Sequence, residues 1–243
     1  MYQYFAKSVT ALLVVMWLAV GCGSGDSGAT TGTVTPEGGA QAESASQAAE
    51  REFKAEVWAD NWFALYVNGV LVGEDSVPIT TERSFNAETI TFSATYPLTV
   101  AIEAKDFKET DSGLEYIGER NQQMGDGGII AQITDLRTGT VVAVTNSAWQ
   151  VLVIHRAPLN PECEKAANPE TACRFEKMEA PAGWTNVDFD AGSWTPATEW
   201  SESAVRPKDG YNRIQWHDSA RLIWGSDLEV DNTILLRMTV PSP

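Results

Sequence analysis

An all-β sandwich is the fold this sequence predicts, and three observations point to it. Short segments alternate apolar and polar residues with a period of two. Clusters of Gly, Asn, Asp and Pro separate them. No segment sustains a helical period over three turns. The chain has 243 residues, 43% of them hydrophobic, which suffices for one large domain or two small ones around a buried core. Its formal charge is −16 at pH 7. A surface that acidic repels phosphate backbones, which argues against nucleic acid as a partner and against adsorption to anionic lipid through a basic patch.

The N-terminus comes first in order. Residues 1–21 carry one basic residue, Lys7, followed by an apolar run from Val9 to Val20. That run is shorter than a bilayer-spanning helix requires and ends in small residues, the pattern of an export signal. Leu18, Ala19, Val20 and Gly21 precede Cys22. The segment resembles the lipobox of bacterial lipoproteins, a family that favours Leu at the position of Ala19. The resemblance implies cleavage before Cys22 and lipidation of that cysteine. It also implies an exported protein, lipid-anchored to the bacterial cell envelope at the outer membrane or cell surface. An ordinary secretory signal with an unmodified Cys22 is the alternative. Residues 22–50 hold no aromatic and almost no large aliphatic side chain, so they cannot bury enough surface to offset chain entropy. They read as a tether reaching roughly 30 Å on average. In an exported compartment Cys163 and Cys173 remain as a pair for a disulfide, worth ~2–3 kcal/mol. Two cysteines with only His155 and His217 elsewhere do not make a zinc spacing.

From residue 51 to 243 the texture is that of one sandwich. "FALYV" (63–67) meets Asn68-Gly69, a pair suited to a type I′ hairpin turn, and "VLVG" leads back out. "ETITFSA" puts Ile90 and Phe92 on one face; "LTVAIEA" does the same with Leu98, Val100 and Ile102. "GGIIAQITD", "TVVAV", "WQVLVIH" and "TILLRMTV" repeat the period. Short helical turns fit 108–124 and 162–180. The Pro-, Glu- and Ala-rich segment 157–183 reads as an ordered excursion, given the cysteine pair inside it.

Four stretches then carry a resemblance. "ADNWFALYVNGVLVGED", "TNSAWQV", "GWTNVDFDAGSWTPATEW" and "RLIWGSDLEVDNTILLRMTV" occur in this order. Together they resemble the galactose-binding-like jelly-roll modules found beside rhamnosidase and family 2 glycosidase catalytic domains. The matching positions are Asp60, Asn68 and Gly69; Trp149; Trp184, Asp190, Trp194 and Ala197; and Arg237. The resemblance implies a galactose-binding-like β-sandwich over roughly 55–240. It implies no particular ligand, because modules of this fold bind sugars, polysaccharides, lipids or proteins.

Eight of the nine tryptophans lie beyond residue 21. Trp149 and Trp224, inside apolar strands, belong to the core, and Trp184 and Trp194 pin a loop. Trp62, Trp200 and Trp216 stand among polar neighbours. There they serve either as packing groups or as flat platforms that stack on sugar rings. Asp60 and Asn61 either cap a turn or bind hydroxyls. Asp106, Glu109, Asp111 and Asp126 sit in acidic loops, which are either solvated or arranged around a structural calcium; EF-hand spacing is absent. His217 beside Asp218 suggests acid–base chemistry or, more plainly, a hydrogen-bonded surface histidine. No nucleophile elbow, His-Glu-x-x-His or P-loop occurs. The expected function is a non-catalytic module that recognises glycan or polysaccharide through Asp60, Asn61, Trp62, Trp200, Trp216 and His217. The rival is a structural or assembly lipoprotein docking on another envelope protein.

Overall fold

The computed structural model describes residues 49–243 apart from Glu82. The signal segment, Cys22 and all but the last two residues of the tether lie outside the described residues. In chain order the strands are β1 (Arg51–Asp60), β2 (Trp62–Val67), β3 (Val70–Glu74), β4 (Asn86–Ala94), β5 (Leu98–Lys105), β6 (Leu114–Glu115), β7 (Gln123–Met124) and β8 (Gly128–Asp135). There follow β9 (Thr140–Val144), β10 (Gln150–Arg156), β11 (Glu176–Lys177), β12 (Thr195–Pro196), β13 (Thr198–Trp200), β14 (Leu222–Trp224) and β15 (Asp231–Val240). One sheet runs β13–β14–β8–β1–β4, with β9 on β8. The other runs β11–β10–β15–β5–β2–β3, with β12 on β10. Every pairing is antiparallel. The main core draws on both sheets, as an all-β sandwich requires.

Strand β1 sets the inward face of the first sheet. Phe53, Ala55, Val57 and Ala59 are fully buried, and Phe53 stacks on its cross-strand partner Phe92 at 5.5 Å. The alternate residues face out. Among them Trp58 seeds a second, smaller core with Ile130, Val205, Tyr211, Ala220 and Leu222. The segment between β13 and β14 thus lies over the outer face of this sheet.

In the second sheet the Asn68-Gly69 turn forms with both residues at positive φ, 51° and 83°. Asn68 locks it to the neighbouring loop: its side-chain amide donates to the Thr95 carbonyl at 2.9 Å, and its side-chain oxygen accepts the Thr99 N–H at 2.7 Å. Strand β5 departs from simple alternation, because its outward residues Thr99 and Ala101 are buried as well. Ala101 pairs with Tyr66 on one side and Arg237 on the other. Both of those side chains hold the loop 184–194 over it: Tyr66 meets the Trp184 ring edge-on at 5.6 Å, and Arg237 donates to two carbonyls of the loop. Trp149 and Trp224 are core residues, with indole N–H groups donating to the Val144 and Asp231 carbonyls at 2.8 and 2.6 Å.

Of the two segments that suit short helical turns, 162–180 contains them, as a 3-10 turn at Pro161–Lys165 and a single α-turn, α1, at Pro169–Ala172. Segment 108–124 instead forms the small β6–β7 ladder. Cys163 and Cys173 are joined, and with Leu114 they make a third, local core. Replacing both cysteines by alanine is expected to lower the unfolding free energy by about 2–3 kcal/mol, read from denaturant unfolding of the variant beside the oxidised parent. A loss under about 1 kcal/mol would mean that Leu114 and its neighbours hold the excursion without the bridge.

Candidate functional site

One end of the sandwich gathers acidic side chains from three separate segments. Asp60 is the last residue of β1, paired with Gly128 of β8. Asp106 follows the end of β5 in the opposite sheet, and its N–H donates to the Asn232 carbonyl at 2.8 Å. Asp126 sits in the turn between β7 and β8. That turn lies close because it is built of glycines: a Cβ at Gly125 would overlap the Asp106 carboxylate, and one at Gly127 would overlap the Trp224 ring. Carboxylate oxygens of Asp60, Asp106 and Asp126 lie within 4.8 Å of one another.

The electrostatics of this cluster are unusual. Asp60 and Asp106 are 1% and 2% exposed. Neither oxygen of Asp106 has a hydrogen-bond partner, nor does Oδ1 of Asp60. Burial, followed by repulsion from Asp126, pushes the Asp60 carboxyl well above the usual range, against the pull of Lys208. Burial pushes Asp106 up as well, with Asp60, Glu115 and Asp126 adding to it. Lys208 is the nearer cation at the cluster, its Nζ 3.4 Å from Asp60 and 3.1 Å from Asp126, while the exposed Arg206 guanidinium reaches Asp126 at 3.9 Å. Burial works to lower the Lys208 pKa, but the two aspartates outweigh it and hold it above the ordinary lysine value. Oxygen donors without partners at this spacing suit a hard cation, while zinc prefers nitrogen and sulfur ligands.

Beside the cluster opens a groove of about 340 Å³ lined by Arg83, Phe85, Glu115, Tyr116, Gln123, Lys208 and Asp209. Lys208 belongs to both features: its ammonium lies over the Phe85 ring, 4.4 Å from the centroid, while it touches the aspartates. The groove therefore joins two aromatic rings to donors and acceptors of both charges. None of its residues stood out in the sequence, because isolated aromatics in polar segments carry no periodicity.

The residues singled out from the sequence do not share one site. Asp60 enters the acidic cluster. Asn61 is buried next to it, and its side-chain oxygen accepts the Phe107 N–H at 2.6 Å, tying the exits of β1 and β5 together. Trp62 lies in the second sheet beneath the Lys105 ammonium, 4.4 Å from its ring centroid. Trp200 and Trp216 both pack against the small core around Trp58, with their indole N–H groups donating to the Gly225 and Tyr211 carbonyls. Trp216 and His217 line a separate shallow groove of about 280 Å³ with Gln132, Val141, Gln215 and Asp218. The His217 ring accepts from the Ser219 N–H at 3.2 Å, closing a local turn. Of the other acidic-loop residues, Glu109 accepts the Ile117 N–H and Asp111 pairs with Lys108 and Lys177, so only Asp106 and Asp126 reach the cluster. Comparison with family models, with curated proteins and with solved structures returned no match to this chain.

Proposed function

We propose that this is a lipid-anchored envelope protein whose sandwich is a galactose-binding-like, non-catalytic module recognising glycan or polysaccharide. The observation that carries the reading is the groove of Phe85 and Tyr116, flanked by Arg83, Glu115, Gln123, Lys208 and Asp209. A sugar ring presents an apolar face and a rim of hydroxyls. Aromatic faces take the first, and mixed charged and amide groups take the second. The groove also falls in the size range of small-molecule sites. The Cys22 lipobox and the tether supply the anchoring part of the proposal.

The test is a glycan and polysaccharide panel probed with residues 23–243. The expected result is saturable binding that free sugar competes away. Tyr116→Ala is expected to weaken it about tenfold, the equivalent of one lost stacking contact, with the melting temperature unchanged. Trp216→Ala should leave affinity alone. A blank panel with folded protein, or undiminished affinity in Tyr116→Ala, would sink the reading. Turnover of a sugar polymer abolished by Glu115→Gln would replace it with an enzymatic one.

A second reading has its own observation. Strand β3 is an edge of its sheet, and Val70 and Leu71 on it are 63% and 50% exposed. Such an edge accepts a strand from a partner. In this reading the sandwich docks on another envelope protein, and a stable hetero-complex surviving membrane solubilisation would favour it.

A further inference from the structure

We propose that Asp60, Asp106 and Asp126 form a calcium site, and that Lys208 occupies its mouth in the ion-free protein and leaves it on loading. The argument begins with the orphaned oxygens. A buried carboxylate that accepts nothing is costly in a folded protein and marks a missing partner. Asp106 presents two such oxygens and Asp60 one, and one carboxylate oxygen from each of Asp60, Asp106 and Asp126 lies within 4.8 Å of the others. The space is enclosed by close-packed backbone: Gly125 leaves no room for a side chain against Asp106, and Gly127 none against Trp224. The three ligands are fixed by the ends of β1 and β5 and by the β7–β8 turn, so folding itself brings them together.

The donor set selects among cations. All three ligands are carboxylates, each able to bind through one or both oxygens, and together they offer about three to six of the six to eight that calcium takes. Magnesium holds several waters in a strict octahedron, which suits this dry, closely walled position less well. Zinc would want histidine or cysteine; among the described residues, no such group belongs to the cluster. Formal charge agrees. Three aspartates face Lys208 and, at the exposed edge, Arg206, and buried Glu115 adds a fourth negative charge nearby. A divalent ion offsets what these two cations leave.

Lys208 links the ion to the groove. Its Nζ contacts Oδ2 of Asp60 and both oxygens of Asp126, two of the carboxylates the ion would bind. An ammonium and a calcium ion cannot both sit within contact distance of those oxygens without strong repulsion. Loading therefore drives the ammonium off the aspartates and from its place over Phe85, which changes the charge and shape of the groove. The calcium site stands whether or not that groove takes a sugar.

The test uses the full mature chain and terbium as a luminescent stand-in for calcium. The Trp224 indole, packed against Gly127, is the sensitiser. Terbium emission under indole excitation is expected to saturate and to be displaced by calcium, with a dissociation constant on the order of 10⁻⁴ M, as in extracellular modules. Calcium at about a hundredfold excess over that constant should raise the melting temperature by roughly 5–10 °C. Asp106→Asn should remove both responses while melting no lower than the parent in chelator, because it relieves like-charge repulsion. Asp126→Asn, at the half-buried ligand, serves the same purpose should the first variant misfold. Lys208→Met should tighten calcium about tenfold by removing the competing ammonium; an unchanged constant overturns the role given to Lys208. Folded protein with no saturable terbium signal and no calcium-dependent shift in melting overturns the site, and would mean that the cluster is held by shared protons.

Discussion

Arg237→Met is expected to lower the unfolding free energy by about 3–4 kcal/mol and to free the aromatic loop 184–194. Arg237 lies in β15 and is 5% exposed, although it is a charged residue in an apolar strand. Its guanidinium donates to the Trp184 carbonyl at 2.6 Å and to the Phe189 carbonyl at 3.0 Å, and it stands 5.4 Å from the Phe189 ring centroid. Burial lowers its pKa, opposed by Asp188, yet guanidinium stays charged at any working pH. Methionine keeps the apolar stem and loses both charge-assisted bonds. Two bonds to a charged donor contribute about 1.5–3 kcal/mol each, and methionine's own packing returns part of the loss. The loop should then become a proteolytic site, with loss of near-ultraviolet dichroism from Trp184 and Trp194, whose rings lie 6.4 Å apart. Arg237→Lys discriminates pinning from mere charge. An ammonium cannot reach two carbonyls in fork geometry, so it should recover less than half of the loss. A methionine variant within about 1 kcal/mol of the parent, still resistant to protease, would show that the rings alone hold the loop.

Arg237 stood out in the sequence only as one position of the resemblance; the structure supplies the physical reason, since a charge between apolar residues in a strand must be paired somewhere. The two core tryptophans and the Asn68-Gly69 turn were legible in the residues themselves, since each position is fixed by local chemistry. Strand β1 was present in the sequence as Phe53, Ala55, Val57 and Ala59. Its two small alanines weaken the alternation, and the strand is evident only from its pairing with β4 and β8. The acidic cluster was not legible as a unit. Asp106 stood with Glu109 and Asp111 because they are neighbours in the chain, while Asp60 was assigned to hydroxyl binding. Which carboxylates meet is decided by where β1 and β5 end and by the register that sets Asp60 opposite Gly128, and a single sequence does not carry that register. The groove was hidden for the same reason. Phe85, Tyr116 and Lys208 come from three distant segments, and no one of them differs locally from a surface residue.

The second large effect is a pH dependence that the parent protein's own stability curve conceals. His155 is 3% exposed in β10. Its Nδ1–H donates to the side-chain oxygen of Asn232 at 3.0 Å, Phe175 stacks on the ring at 6.0 Å, and Nε2 stands 3.4 Å from the Asp111 carboxylate. Burial pushes its pKa down to about 4, helped by Lys108 and Lys177 and opposed by Asp111 and Asn232. The unfolded chain then binds the proton more readily than the folded one between the ordinary histidine value, about 6.5, and about 4. The contribution is fully present above the first value and is lost as pH falls through the window, amounting to roughly 3 kcal/mol at its acid end. Asp75 acts in the opposite sense. It is 4% exposed, and burial raises its carboxyl to about 6, with the Val77 N–H opposing. The folded state therefore holds that proton more tightly than the unfolded chain, and stability is gained as pH falls from about 6 towards the ordinary aspartate value. The two windows overlap and oppose each other, and Asp60 and Asp106, also raised by burial, add to the gain on the acid side, so the parent's own curve hides the His155 contribution. His155→Gln removes one side of the balance. Its stability relative to the parent should improve by roughly 3 kcal/mol between pH 7 and pH 4, measured by urea unfolding at each pH. A difference that stays constant across that range would show that the folded protein accepts the His155 proton as easily as the unfolded chain, with Asp111 compensating in full for the burial.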